Sequence, residues 1–243
     1  MSASPEAATA KAGLRRHYRQ VRRQALELGG SQLVERISAA AQAIATELLH
    51  PQPCDQPGSQ PGGQLHLGLY WPLAGEIDLR PLAQQLPVAL PAIHGQQLVY
   101  RPWRPGQPLE PDACAIPAPP ESAGELQPGQ LGLLLVPALA IDPAGIRLGY
   151  GGGWYDRLRA EASWRQVPAL AVLPAACCHA SLPRDPWDVP FSGWIDERGG
   201  ANLTANLTAN LTNDSQGSTN PRVICQDSNP CTGRSVERLR LPS

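Results

Sequence analysis

The residues of this chain best placed to do chemistry lie between positions 147 and 156. Arg147 is followed by Gly149, Gly151, Gly152 and Gly153, and then by Trp154, Tyr155 and Asp156. An arginine brings a permanent charge and a planar fork of donors that suits phosphate oxygens. A carboxylate such as Asp156 is the hard ligand that holds Mg²⁺ on a nucleotide. Glycines between the two let backbone N–H groups converge on one anion, and a helix starting just beyond adds its own. The segment is not one of the named phosphate motifs. A dinucleotide fingerprint needs glycine where Trp154 stands, and a P-loop needs Gly-Lys-Ser/Thr. Glycines alone would also serve a tight loop without any ligand, but such a loop requires neither the cation nor the acid.

A second set of cations lies near the start of the chain. Lys11 and Arg15 are one helical turn apart, so both can meet the same anion. Around them stand Arg16, Arg19, Arg22 and Arg23, and such a run also reads as a solvated basic face. A nucleic-acid module would carry further basic segments with interleaved aromatics. The sequence has none.

The elements that must position these groups follow from periodicity. Leu14, Tyr18, Val21, Ala25 and Leu28 form an apolar stripe that predicts a helix over 6–28. Gly29-Gly30 ends it, and Ser31 caps a second helix striped by Leu33, Ile37, Ala40, Ile44 and Leu48. Residues 50–64 read as a Pro/Gly/Gln linker. Strands are expected at Leu65–Trp71, Pro87–Ile93, Gln97–Trp103, Leu131–Pro137, Val167–Leu173 and Trp194–Asp196, with a short helix through Leu86. Tyr100 and Trp103 read as core. The segment Ile141–Gly145 reads as a tight turn, and a helix is expected from Trp154 to about Trp164. The order predicts an α/β fold: a single domain over 1–198 with a mostly parallel sheet flanked by helices, Rossmann-like, open and three-layered. In such sheets ligands sit beyond the carboxyl ends of the strands, which puts Trp71 and Glu76 in the right class of position.

Composition sets the outer limits. A chain of 243 residues supports one good core, and a net charge of −1 argues for no polyanionic partner. No apolar run is long enough for a membrane span, so the expectation is cytoplasmic. The six cysteines show no C-x-x-C spacing, so neither a disulfide framework nor a zinc site is suggested. Cys177-Cys178-His179 reads as a loop or helix start, because adjacent cysteines do not readily bind one tetrahedral ion. From Gly199 onward, Ala-Asn-Leu-Thr repeats and polar residues predict a disordered tail over 199–243. The sequons at Asn202, Asn206 and Asn210 are expected to stay unused.

One resemblance sharpens this reading. Pro137-Ala138-Leu139-Ala140-Ile141-Asp142, then Gly145, then Arg147-Leu148-Gly149-Tyr150-Gly151-Gly152-Gly153-Trp154-Tyr155-Asp156 closely resembles the signature of 5-formyltetrahydrofolate cyclo-ligases, also called 5,10-methenyltetrahydrofolate synthetases. Tyrosine is usual at position 154, so Trp154 is a conservative departure. Lys11-Ala12-Gly13-Leu14-Arg15 is similar to the family's N-terminal Lys-x-x-x-Arg, which contacts ATP. The resemblance implies ATP contacts from Lys11, Arg15, Arg147, Leu148, Gly149, Tyr150, Gly151, Gly152, Gly153, Trp154 and Tyr155, with Arg147 and Lys11 in catalytic roles. It implies substrate contacts from Trp71, Glu76, Tyr150 and Trp154. Trp154 and Tyr155 would flank the pterin or the adenine, or else pack into the base of the helix. Leu182-Pro183-Arg184-Asp185-Pro186-Trp187-Asp188-Val189 resembles the family's Leu-Pro-x-x-x-x-Asp-Val. Its acid implies Asp188 as a partner of Asp156 in holding Mg²⁺. Where the family often has another acid, this chain has Ser192, and Asp185 is the nearest rival. The implied activity is ATP-dependent cyclisation of 5-formyltetrahydrofolate to 5,10-methenyltetrahydrofolate, by a monomer with small-molecule partners and neither nucleic acid nor membrane. Two other readings stand beside it: a folate- or nucleotide-binding relative without turnover, and an RNA-binding module built on the basic first helix.

Overall fold

The structure, a computed structural model, describes residues 5–49 and 63–201. Most of the 50–64 linker and nearly all of the 199–243 segment, including its three sequons, lie outside the described residues. Helix α1 (Pro5–Leu49) is followed by strands β1 (His66–Gly68), β2 (Val88–His94) and β3 (Gln97–Trp103). A two-stranded clip of β4 (Glu110–Pro111) and β5 (Pro117–Ala118) leads into β6 (Leu131–Pro137). A hairpin of β7 (Ala140–Ile141) and β8 (Arg147–Leu148) precedes α2 (Trp154–Ala160) and α3 (Ala162–Gln166). Strands β9 (Ala169–Val172), β10 (Gly193–Asp196) and β11 (Gly199–Ala201) complete the order.

The main sheet runs β11-β10-β9-β6-β1-β2-β3. Its five inner strands are parallel, and each edge strand returns antiparallel on its neighbour. Parallel strands are covered on both faces, which is why β6 is an unbroken apolar run. Leu133 and Leu135 point into one core with Leu67, Leu69, Leu170 and Val172. Leu134 and Val136 point into the other with Ala89, Ala169 and Ala171. Helices cover each face, giving the expected α/β layering.

Helix α1 serves both faces because it breaks in the middle. Gly30 sits at φ 53, ψ −148, a conformation that side chains with a Cβ rarely adopt. The arm before it packs Tyr18, Leu14 and Val21 against one core, and the arm after it packs Leu33, Ile37, Ala41, Ala45 and Leu49 into the other. The chain therefore does not stop and recap at Ser31 as expected; helix resumes at once. The second stripe is also rotated by one residue after Ile37, so Ala41, Ala45 and Leu49 are deep while Ala40, Ile44 and Leu48 flank them. Leu28, placed in the first stripe by its spacing, is 90% exposed, because the break at Gly30 carries the chain off the core just beyond it.

Other boundaries shifted slightly. The short helix before Leu86 is a 3₁₀ turn at Arg80–Gln84. The expected helix from Trp154 is interrupted at Glu161, which is extended at φ −71, ψ 134. Strand β11 carries the sheet past residue 198 to Ala201. Tyr100 and Trp103 are core residues, as read. No helix among the described residues is long and apolar enough to cross a membrane.

Candidate active site

Chain order reverses direction at β1: the chain moves outward through β2 and β3, then returns to β6 on the opposite side. At such a switch point the loops leaving adjacent strand ends diverge and open a crevice. Tyr70 and Trp71 follow the end of β1, and Pro137 ends β6. All three line a cleft of about 450 Å³, together with the first arm of α1, the 147–156 loop and the 185–188 turn. This cleft therefore sits where topology alone would put one.

Its polar side is assembled from three segments far apart in sequence. Lys11 Nζ lies 2.7 Å from Asp185 Oδ2 and 2.7 Å from Asp188 Oδ2. Burial works against the Lys11 charge, but hydrogen bonds to both aspartates outweigh it and raise the pKa. Arg15 Nε donates to the Gly149 carbonyl at 3.0 Å, which fastens the helix to the glycine loop. Arg147 stands 3.8 Å from Asp156, its side chain only 6% exposed, and its Nε is buried without a hydrogen-bond partner. A Cβ at Gly149 would lie 2.5 Å from Arg147 Nη1, so a side chain there would push the guanidinium from its place.

A buried aspartate brings these segments together. Asp142 Oδ1 accepts from the Ala144 and Ile146 N–H groups, closing the turn between β7 and β8. Its Oδ2 accepts from Leu182 N–H at 2.9 Å, which draws the 182–188 segment alongside the signature hairpin. The turn then closes on itself, with Asp185 N–H donating to Asp188 Oδ2 at 2.8 Å.

The other side of the cleft is aromatic. Trp71 is held edge-to-face by Trp103 at 6.3 Å and covered by the Arg80 guanidinium at 4.2 Å, a contact fixed by the Arg80–Asp78 pair. Glu76 Oε2 accepts from Leu73 N–H at 2.8 Å, while Oε1 is buried with no partner. Tyr150 lies beside it, its pKa raised by burial and then by the Glu76 charge. Tyr155 is half-buried beneath the Arg147 guanidinium, and desolvation of its hydroxyl pushes its pKa up to about 12. Trp154 lines the cleft and is covered by Arg157 at 4.4 Å.

Every residue named from the sequence as a nucleotide, substrate or metal contact lines this one cleft: Lys11, Arg15, Trp71, Glu76, Asp156, Asp188 and the 147–155 segment. Asp185, named only as a rival to Asp188, shares Lys11 with it. The first helix turns Lys11, Arg15 and Arg22 inward, while Arg16, Arg19 and Arg23 remain exposed. Among the described residues no group of three His, Cys, Asp or Glu is placed to hold a metal ion. The donors present are hard carboxylates next to phosphate-suited cations, which fits Mg²⁺ arriving on a nucleotide rather than an all-protein cage.

Comparison with known proteins decides the kinship. The model of the 5-formyltetrahydrofolate cyclo-ligase family matches residues 70–195. The chain belongs to this family. It is an enzyme of the ligase class. A 5-formyltetrahydrofolate cyclo-ligase of Haemophilus influenzae is 32% identical over 136 residues, covering 51% of this chain and 72% of that protein. The Escherichia coli K12 protein of the same name is 32% identical over 127 residues, covering 48% and 69%. In fold, the chain is similar to Aquifex aeolicus 5,10-methenyltetrahydrofolate synthetase, with a TM-score of 0.57 and 24% identity over 87% of this chain and 96% of that one.

Residues the sequence did not single out also join the site. Tyr70, Asp112, Cys114 and Trp187 line the cleft. Arg22 reaches its edge and donates to the Tyr150 hydroxyl at 2.6 Å. Its position was available in principle: Lys11, Arg15 and Arg22 are spaced by four and seven, one face of a helix. The loop residues carried no such signal.

Proposed function

We propose that this enzyme uses ATP to close 5-formyltetrahydrofolate into 5,10-methenyltetrahydrofolate, releasing ADP and phosphate. The observation that carries the proposal is the two-sided cleft. Cations and a glycine loop line one side; on the other an aromatic wall surrounds a buried carboxylate oxygen that has no partner. A triphosphate suits the first and a reduced pterin, with its flat ring and N–H donors, suits the second.

The chemistry calls for this pairing. A formamide oxygen is a poor nucleophile and a poor leaving group. Transfer of the γ-phosphoryl group breaks its bond to the β-phosphate and forms a bond to the formyl oxygen. Folate N10 then attacks the formyl carbon, and phosphate leaves as the ring closes and N10 gives up its proton to solvent. Phosphoryl transfer asks the protein mainly for positioning and charge neutralisation. In this reading Arg147, Lys11 and Arg15 neutralise phosphate charge, with Arg147 and Lys11 on the transferred group. The backbone of Leu148 to Tyr155 cradles the nucleotide. Trp71, Glu76, Tyr150 and Trp154 hold the folate. Asp156 and Asp188 would hold Mg²⁺, which supplies charge neutralisation on the phosphates when bound. Lys11 occupies Asp188 in this structure, so it would pass from the aspartates to phosphate as the nucleotide enters. One chain supplies the whole cleft, consistent with a monomer and small-molecule partners.

The test is the absorbance of methenyltetrahydrofolate, followed with 5-formyltetrahydrofolate, ATP and Mg²⁺ together and with each omitted. Signal only in the complete mixture is expected. Product without ATP, or none with it, refutes the proposal.

A further inference from the structure

Arg22 is buried on the first arm of α1, and none of the ion pairs found among the described residues involves it. A buried cation without a carboxylate in contact is costly, so what it touches matters. Its Nη1 donates to the Tyr150 hydroxyl at 2.6 Å, and its guanidinium lies 5.6 Å from the centre of that ring. Its Nη2 stands 3.7 Å from where a Cβ on Gly75 would lie, against the turn that carries Glu76. Glu76, which lines the same cleft, has one oxygen tied to Leu73 N–H and the other buried and unpaired.

A guanidinium can only donate. The Tyr150 oxygen must therefore accept from Arg22, which leaves its own proton free to turn toward Glu76. We propose that Arg22 is a positioning residue for the folate end of the cleft. It turns the Tyr150 hydroxyl proton toward Glu76 and balances the charge of that carboxylate, so that Oε1 serves as an acceptor for an N–H of the reduced pterin. This rests on the substrate assignment made above. The backbone of Tyr150 belongs to the nucleotide cradle named there, but Arg22 meets only its hydroxyl and ring, so its effect falls on the folate side.

The experiment is steady-state kinetics on the full chain, with KM for 5-formyltetrahydrofolate and for ATP determined separately. Arg22→Met is expected to raise the folate KM about tenfold, as for loss of a hydrogen bond supported by a charge, and to leave the ATP KM within about twofold. Arg22→Lys, which keeps charge and donor, should recover most of the loss. Tyr150→Phe should raise the folate KM as well, and the Arg22→Met/Tyr150→Phe double variant should be no worse than the poorer single one. A folate KM unchanged in Arg22→Met, both KM values rising together, no recovery with lysine, or full additivity would each overturn the proposal. Should Arg22→Met fail to fold by circular dichroism, Arg22→Lys and Tyr150→Phe still decide it: a folate KM unmoved by Tyr150→Phe overturns it. Inactive wild-type protein would refute the activity itself, whereas active wild type with any of these outcomes refutes only the role of Arg22.

Discussion

Replacing Lys11 by methionine isolates the central charge cluster. In the native protein one ammonium contacts Asp185 and Asp188 at 2.7 Å each, with all three side chains 12% exposed or less. Without it, two carboxylates are left within about 5 Å of each other, where unit charges repel by ~3 kcal/mol at an effective dielectric of ~20. Protonating one aspartate relieves that repulsion, so the cost depends on pH. In the variant, one aspartate of the pair has a folded pKa raised above its unfolded value. Its contribution is therefore intact below the ordinary carboxylate range and lost as pH rises through the raised value. In wild type the raised pKa belongs to Lys11, whose contribution holds below its ordinary 10.5 and fades only above it. Urea unfolding should thus show Lys11→Met destabilised by about 2–3 kcal/mol at pH 8 and by about half that or less at pH 5. Adding Asp185→Asn should restore most of the loss at pH 8. A destabilisation equal at both pH values, or absent at pH 8, would refute the clamp described here.

Arg147→Ala and Asp156→Asn should each lower kcat/KM for ATP about a hundredfold, the scale expected when a charge-stabilising group is removed from a transferring phosphoryl. Turnover like wild type in both would remove the phosphate side of the site. Gly149→Ala puts a methyl 2.5 Å from Arg147 Nη1, so the ATP KM should rise about tenfold with little change in melting temperature; an unaltered KM means the guanidinium is not held where the structure has it. Glu76→Gln should weaken binding of 5-formyltetrahydrofolate, measured by calorimetry, while leaving ATP binding as it was. The thiols make a separate test. Burial raises the pKa of Cys177 to about 12 and that of Cys178 to about 11, whereas Cys114 is exposed. Mass spectrometry after brief alkylation at pH 8 should find Cys114 labelled and Cys177 protected until unfolding. Because both raised thiols ionise more readily when unfolded, stability should also decline as pH rises above about 9.

The sequence determined the parts whose signal is local. An apolar run of seven residues, Leu131–Pro137, is a buried parallel strand because both its faces must be covered, and its bounds match the structure. The order Arg147, glycines, Asp156 is likewise confined to ten residues, and the loop it forms lines the cleft. Local pattern failed where the backbone changed direction. Leu28 keeps helical spacing yet is exposed, since a stripe says nothing of where the neighbouring helix turns away at Gly30. Tertiary structure alone decided what meets what. Lys11 joins Asp185 and Asp188 across more than 170 residues because the buried Asp142 ties Leu182 to the β7–β8 turn, and no spacing encodes that knot. Arg22 was one cation among several in a basic run until the fold buried it against Tyr150. Periodicity fixes which face of an element is apolar. Which polar groups converge depends on how the faces pack, and that is settled only by the whole chain at once.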